Sequence, residues 1–115
     1  MVDFRSLRFG IEVESVGATR GTVARAIQSV VGGEVRHVRV PSAFDPHEVT
    51  DSRGRIWRVV ADSSLSDTPP DKRAEIVSPI LSYSDLPELQ QIIRAGRHAG
   101  SKSSRQAGVH VHLDC

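Results

Sequence analysis

The chain has 115 residues, of which 38% are apolar, and a formal net charge of +1. This length predicts one domain over residues 1–115, and the charge gives no reason to expect a nucleic-acid partner or an anionic membrane surface. No apolar run approaches the roughly 20 residues of a membrane span. The N-terminus lacks a signal-peptide core, so we expect a cytoplasmic location. The only cysteine, Cys115, cannot form an internal disulfide.

The hydrophobic pattern predicts an α+β fold with the element order β-α-β-β-β-β-α-β. Apolar residues at period two indicate strands, and apolar residues at helical spacing indicate helices. In chain order, we predict a strand over 6–15, a helix over 22–31, a strand over 34–40, a hairpin over 47–61, a strand over 74–80, a helix over 85–98 that Asp85 caps, and a strand over 108–114. Hairpins and short loops favour a largely antiparallel sheet with both helices packed on one face.

The first strand carries two acidic residues on one face. Glu12 and Glu14 alternate with Phe9, Ile11 and Val13, so the two carboxylates point away from the predicted core. Side chains two positions apart on a strand lie roughly 6–7 Å from each other. The ordinary interpretation of such a pair is the solvated face of an amphipathic strand.

The last strand carries two histidines in the same alternating arrangement. His110 and His112 share a face, while Val109, Val111 and Leu113 are predicted to face the core. An H-x-H spacing directs two imidazoles the same way and is common among metal ligands, although it also occurs on solvated strands. If both strands present these side chains at one surface, they form a carboxylate–imidazole cluster suited to a divalent metal.

Four motifs follow one another in an order that resembles the amidoligase family. They are F-G-I-E-V-E, W-R-V-V-A-D-S-S-L, A-E-I-V-S-P-I-L and G-V-H-V-H-L-D. The family comprises carboxylate–amine ligases related to glutamate–cysteine ligase and glutamine synthetase. The resemblance spans residues 7–114, and it implies the N-terminal portion of a glutamine-synthetase-like catalytic fold. It also implies a reaction in which ATP, with Mg²⁺ or Mn²⁺, activates a small-molecule or peptide carboxylate as an acyl phosphate for attack by an amine.

The resemblance implies roles for four acidic residues. Glu12 and Glu14 match the paired acidic residues of the family's first strand, which bind two different divalent ions at the catalytic centre. Glu75 matches a further metal ligand in front of the S-P element. Asp62 matches the aspartate of the D-x-S-L element, at a catalytic position that faces substrate or metal.

The resemblance also implies cofactor contacts from the last strand and from one serine. Gly108, His110 and His112 match the G-x-H-x-H element, in which one histidine binds metal or the phosphate of the nucleotide. Which of the two histidines does so stays open. Ser64 is expected to border the substrate and cofactor, beside Asp62.

The leading hypothesis is therefore the N-terminal part of an ATP-dependent carboxylate–amine ligase. We expect this part to be catalytically incomplete, because the family's phosphate-binding arginine and late glutamate lie further along. One alternative is a non-enzymatic half-domain that binds metal or a partner, including a second copy, through an open sheet edge. Another alternative is a metal-dependent hydrolase that uses the same cluster.

Overall fold

A computed structural model describes residues 4–39, 44–61, 72–102 and 109–114. The elements are β1 (Arg8–Val16), α1 (Arg20–Val31), β2 (Glu34–His37), β3 (His47–Thr50), β4 (Ile56–Val60), β5 (Arg73–Val77), β6 (Leu81–Ser82), α2 (Leu86–His98) and β7 (Val109–Asp114), with 3₁₀ turns at Phe4–Ser6 and Tyr83–Asp85. Neither helix in these ranges is long and apolar enough to cross a membrane.

The predicted α+β class is confirmed, and the observed order differs from the predicted one by the two-residue strand β6. Such a short segment carries too few residues for alternation to reveal it. Helix α1 begins two residues before the predicted start because the Thr19 hydroxyl accepts a hydrogen bond from the backbone N–H of Thr22. The helix ends at Val31, and the residue that follows is Gly32, whose φ of +73° suits glycine.

The strands form one antiparallel sheet in the order β2-β3-β4-β5-β1-β6, with β7 also paired to β1. Arg8 and Phe9 each pair with both β6 and β7, so these two strands lie along opposite edges of β1. Strand β5 continues the β6 edge, pairing with residues 12–16 of β1. Strand β1 is therefore an interior strand, and β7 lies at the border of the described sheet.

Both helices pack on one face of the sheet. Helix α1 contacts strands β2 to β5 and helix α2. The core between helices and sheet contains Trp57, Val49 and Val59 at 0–1% exposure, together with Ile27 of α1 and Ile92 of α2. The opposite face of the sheet carries no described helix, so polar residues can occupy it at little cost.

The prediction that the apolar residues of β7 face the core is wrong. Val109, Val111 and Leu113 are 60%, 56% and 60% exposed. They lie on the helix side of the sheet, where Val111 pairs with the buried Ile11. Alternation fixes the side of a strand on which a residue lies, whereas burial also requires an element above it, and no described helix extends over β7.

A buried acidic network joins the β3–β4 turn to the start of α2. Asp51, at 5% exposure, accepts hydrogen bonds from the backbone N–H groups of Arg53 and Arg55 and from Nε1 of Trp57, at 2.8–3.2 Å. The Arg55 guanidinium donates to both Asp51 and Asp85, at 3.0 and 3.1 Å. Arg55 thereby connects the hairpin to the helix.

Asp85 occupies the predicted position at the start of α2, but its side chain does not cap that helix. It accepts instead from the backbone N–H of Ser82 at 2.8 Å and from Arg53 at 2.7 Å. Burial alone would raise the pKa of Asp85, but the Ser82 N–H and the guanidinium groups of Arg53 and Arg55 outweigh it and lower the pKa to about 2.

We expect Asp85→Asn to lower the free energy of unfolding by about 2 kcal/mol at pH 7. Because the folded-state pKa lies below the unfolded one, the stabilisation is complete above about pH 5 and is lost as the pH falls through 2. Urea denaturation at several pH values measures this. The control Glu34→Gln, at an exposed strand end, should change stability by less than about 0.5 kcal/mol. A pH-independent difference between Asp85→Asn and the native chain would contradict the assignment.

Candidate functional site

Five of the predicted ligands lie on the sheet face that points away from the helices. Glu14 of β1 pairs directly with Glu75 of β5, and Glu12 pairs directly with His110 of β7. His112 lies two residues further along β7. Directly paired residues point to the same side of a sheet, so all five side chains share one surface. We call this surface the acidic face.

Contacts on the acidic face run diagonally between β1 and β7. Nε2 of His112 lies 3.5 Å from a carboxylate oxygen of Glu12, and Nε2 of His110 lies 4.0 Å from one of Glu14. Within the described ranges, no three ligand atoms of this face lie within 4.8 Å of one another. The side chains thus form two neighbouring carboxylate–imidazole pairs.

Glu14 is less exposed than Glu12 and the two histidines of this face. Its side chain is 14% exposed, compared with 36% for Glu12, 57% for His110 and 63% for His112. Its direct pair, Glu75, is also an acid, and like charges in a direct antiparallel pair destabilise a sheet. Three carboxylates on two adjacent strands are the oxygen donors that Mg²⁺ and Mn²⁺ prefer. The residues present therefore fit a divalent cation.

Three residues on the same face were not among the predicted site residues, namely Arg58, Glu48 and Arg36. Arg58 of β4 pairs with Val77 of β5, and Val77 pairs with Glu12 of β1. Arg58 therefore lies on the acidic face, two strands away from Glu12, at a strand-to-strand distance of roughly 10 Å. Its Nε lies 3.1 Å from Glu48, which also contacts Arg36 at 3.5 Å. The alternation within β4 places Arg58 opposite the core side, and that signal was available from the sequence.

Three predicted positions lie outside the described residues. Asp62 and Ser64 fall within 62–71, and Gly108 falls within 103–108. Their roles stay predictions from the resemblance.

A family model described as "Putative amidoligase enzyme" matches residues 5–115. The chain belongs to this family, which supports ligase activity in general. Neither a curated protein nor a solved structure matches the chain.

The pairing of Glu14 with Glu75 leads to a stability prediction for the metal-free protein. Glu14→Gln keeps the shape and removes one of two opposed charges, so we expect stability to rise by a few tenths of a kcal/mol. The matched control is Glu48→Gln, on the same face, whose carboxylate pairs with Arg36 and Arg58. This control should be neutral or destabilising. Urea denaturation in chelator compares the two, and a clear loss of stability in Glu14→Gln would contradict the repulsion.

Proposed function

We propose that this chain supplies the cation-binding surface of an ATP- and Mg²⁺-dependent carboxylate–amine ligase. The observation that carries the proposal is the direct pairing of Glu14 with Glu75, beside Glu12 and the two histidines of β7. Family membership supports the reaction class. Together they favour a site that handles phosphate through bound divalent cations.

The proposed reaction has two displacement steps. A substrate carboxylate oxygen attacks the γ-phosphorus of ATP, and ADP leaves as the acyl phosphate forms. The amine nitrogen then attacks the acyl carbon, inorganic phosphate leaves with the electron pair of the C–O bond, and the nitrogen loses a proton. A divalent cation held by Glu12, Glu14 and Glu75 would neutralise charge on the phosphate oxygens. Such chemistry requires positioned charges more than a protein nucleophile.

The residues of the acidic face have distinct tasks in this proposal. Glu12, Glu14 and Glu75 provide oxygen ligands from two hydrogen-bonded strands, which restrict their movement more than loops would. His110 and His112 lie beside the Glu12 and Glu14 carboxylates, where an imidazole can bind a cation or a phosphate oxygen.

Arg58 is the positively charged residue that β4 places on the acidic face. Its side chain is 54% exposed while it contacts Glu48. An exposed ion pair of this kind contributes little stability, so the guanidinium can exchange Glu48 for a phosphate group at small cost. We assign Arg58 a role in holding the outer phosphate or the substrate carboxylate.

Mg²⁺ binding tests the cation site. Calorimetric titration should show tighter binding to the native protein than to Glu12→Gln or Glu14→Gln, with a loss of about tenfold or more in each variant, because each removes a charged oxygen ligand. Glu48→Gln is the matched control and should bind Mg²⁺ like the native protein. Equal affinity in all four proteins would contradict the proposal.

The reaction is tested by ADP release in the natural protein that contains this sequence. ADP formation should require a carboxylate and an amine together, and phosphate and amide should appear in equal amounts. Arg58→Gln should weaken ATP binding without removing the Mg²⁺ site. Amide or ester cleavage without ATP would instead identify the metal-dependent hydrolase.

A specific observation also favours partner binding through β7. Its residues Val109, Val111 and Leu113 are more than half exposed, and no described strand pairs with its outer edge. An exposed edge with apolar side chains is a template for another chain. We propose self-association through this edge as the second candidate role.

Val111→Lys tests this role. A lysine on an edge strand opposes pairing, so sedimentation velocity should show less dimer than in the native protein. Ile56→Lys, at a 40% exposed position of β4, is the control and should leave association unchanged. Mg²⁺ affinity should stay constant in Val111→Lys, because residue 111 points to the helix side of the sheet. A native protein that is monomeric at high concentration would exclude self-association.

A further inference from the structure

A second cluster of possible ligands lies on the helix side of the sheet, at the far end from β7. His37 of β2 pairs with His47 of β3, and Asp45 lies just before β3. One ligand atom from each of these residues lies within 4.8 Å of the other two. The imidazole rings stack with their centroids 4.1 Å apart and their planes 7° from parallel. We call this group the histidine cluster.

Asp45 is held between His37 and an arginine of helix α1. One carboxylate oxygen lies 2.6 Å from Nε2 of His37, and the other accepts from Nε of Arg20 at 2.9 Å. Arg20 also donates to the backbone carbonyl of Arg73 at 2.8 Å, which fixes the guanidinium in place. Burial alone would raise the pKa of Asp45, but hydrogen bonds and charges from His37 and Arg20 outweigh it and lower the pKa. Asp45 is therefore a charged, oriented ligand.

His47 has one ring nitrogen engaged by the backbone. Nδ1 lies 3.1 Å from the carbonyl oxygen of Asp45, which favours the tautomer that carries its proton on Nδ1. Metal-binding histidines commonly donate their second nitrogen to such a carbonyl, leaving the Nε2 lone pair for the ion. Burial lowers the pKa of His47, and together with the charges of His37 and Arg20 it outweighs the carbonyl and the carboxylate of Asp45, which both raise this pKa. A neutral imidazole is the metal-binding form.

Space for an ion and its remaining ligands lies beside the cluster. His37, Asp45 and His47 line an open cavity of about 300 Å³ together with Arg25 and Gly21. Gly21 lies beside His47, since a methyl group on this glycine would be in van der Waals contact with Nε2, at 3.5 Å. The cavity admits a water or an anion to complete the coordination.

We propose that His37, Asp45 and His47 bind a divalent transition-metal ion of the Zn²⁺ type, with the fourth position open to the cavity. Two imidazoles and one carboxylate are typical Zn²⁺ ligands, whereas Mg²⁺ prefers oxygen donors alone. Arg20 keeps its contact with the second oxygen of Asp45 and acts as a positioning residue. Arg25, at the cavity wall, favours an anionic fourth ligand.

Binding requires a small adjustment of the cluster. Ligand atoms around tetrahedral Zn²⁺ lie about 3.3 Å apart, since each Zn–N or Zn–O bond is about 2.0–2.1 Å long. The 2.6 Å contact between His37 and Asp45 must therefore lengthen by less than 1 Å. Binding through Nε2 of His37 also releases to solvent the proton that this nitrogen shares with Asp45, and a rotation of the ring turns the freed lone pair toward the ion.

The test is performed on the whole chain in a His110→Gln/His112→Gln background, which removes the imidazoles of the acidic face. Competition with a chromophoric chelator should show one Zn²⁺ bound per chain. His37→Gln, His47→Gln and Asp45→Asn should each weaken Zn²⁺ binding by at least about tenfold. His98→Gln, at the exposed end of α2, is the matched control and should leave the affinity unchanged.

A second measurement avoids dependence on the folding of the variants. In the same background, ring-nitrogen NMR should show Zn²⁺ shifting the signals of His37 and His47 while those of His98 stay in place. Absence of Zn²⁺ binding, shifts confined to His98, or equal affinity in His37→Gln and His98→Gln would each overturn the proposal. None of these outcomes bears on the ligase proposal, because the histidine cluster shares no residue with the acidic face.

Discussion

Hydrogen bonding of β1 along both of its edges is the constraint on which the rest of this molecule depends. Its partners β5 and β7 align Glu14 with Glu75 and Glu12 with His110. A one-residue slip would turn the glutamates toward the helices and move Ile11, now 6% exposed, to the other face. The core and the acidic face are thus fixed by the same register, and neither can shift without the other.

The buried carboxylates provide a second constraint, because they position the layer that covers β1. Arg55 joins Asp51 in the β3–β4 turn to Asp85 at the start of α2. Removing one partner would leave a buried charge, which is far more costly than losing an exposed ion pair. The network therefore holds the hairpin against the helix, while Arg58, on the opposite face of the same hairpin, remains in an exposed ion pair that can exchange.

Local patterns in the sequence were sufficient for every described helix and strand except the two-residue β6, and for the faces of β1 and β7, because period-two alternation fixes the side of each residue. They were not sufficient for burial of Val111, which depends on where the helices end, or for the partners of Asp85, which lie about thirty residues earlier in the chain. The histidine cluster was missed for a similar reason. His37 and His47 become neighbours only through the β2–β3 register, and the apolar pattern of those strands is weak.

The two proposed cation sites differ in the donors that they offer, and the sheet keeps them apart. The acidic face offers three carboxylates, which suit a hard ion that retains water and binds phosphate oxygens. The histidine cluster, on the opposite side and under the start of α1, offers two nitrogens and one oxygen, which suit a borderline ion. Under the two proposals, the three carboxylates of the acidic face would favour Mg²⁺, and the histidine cluster would favour Zn²⁺. The two sites can therefore be altered independently, since no side chain contributes to both.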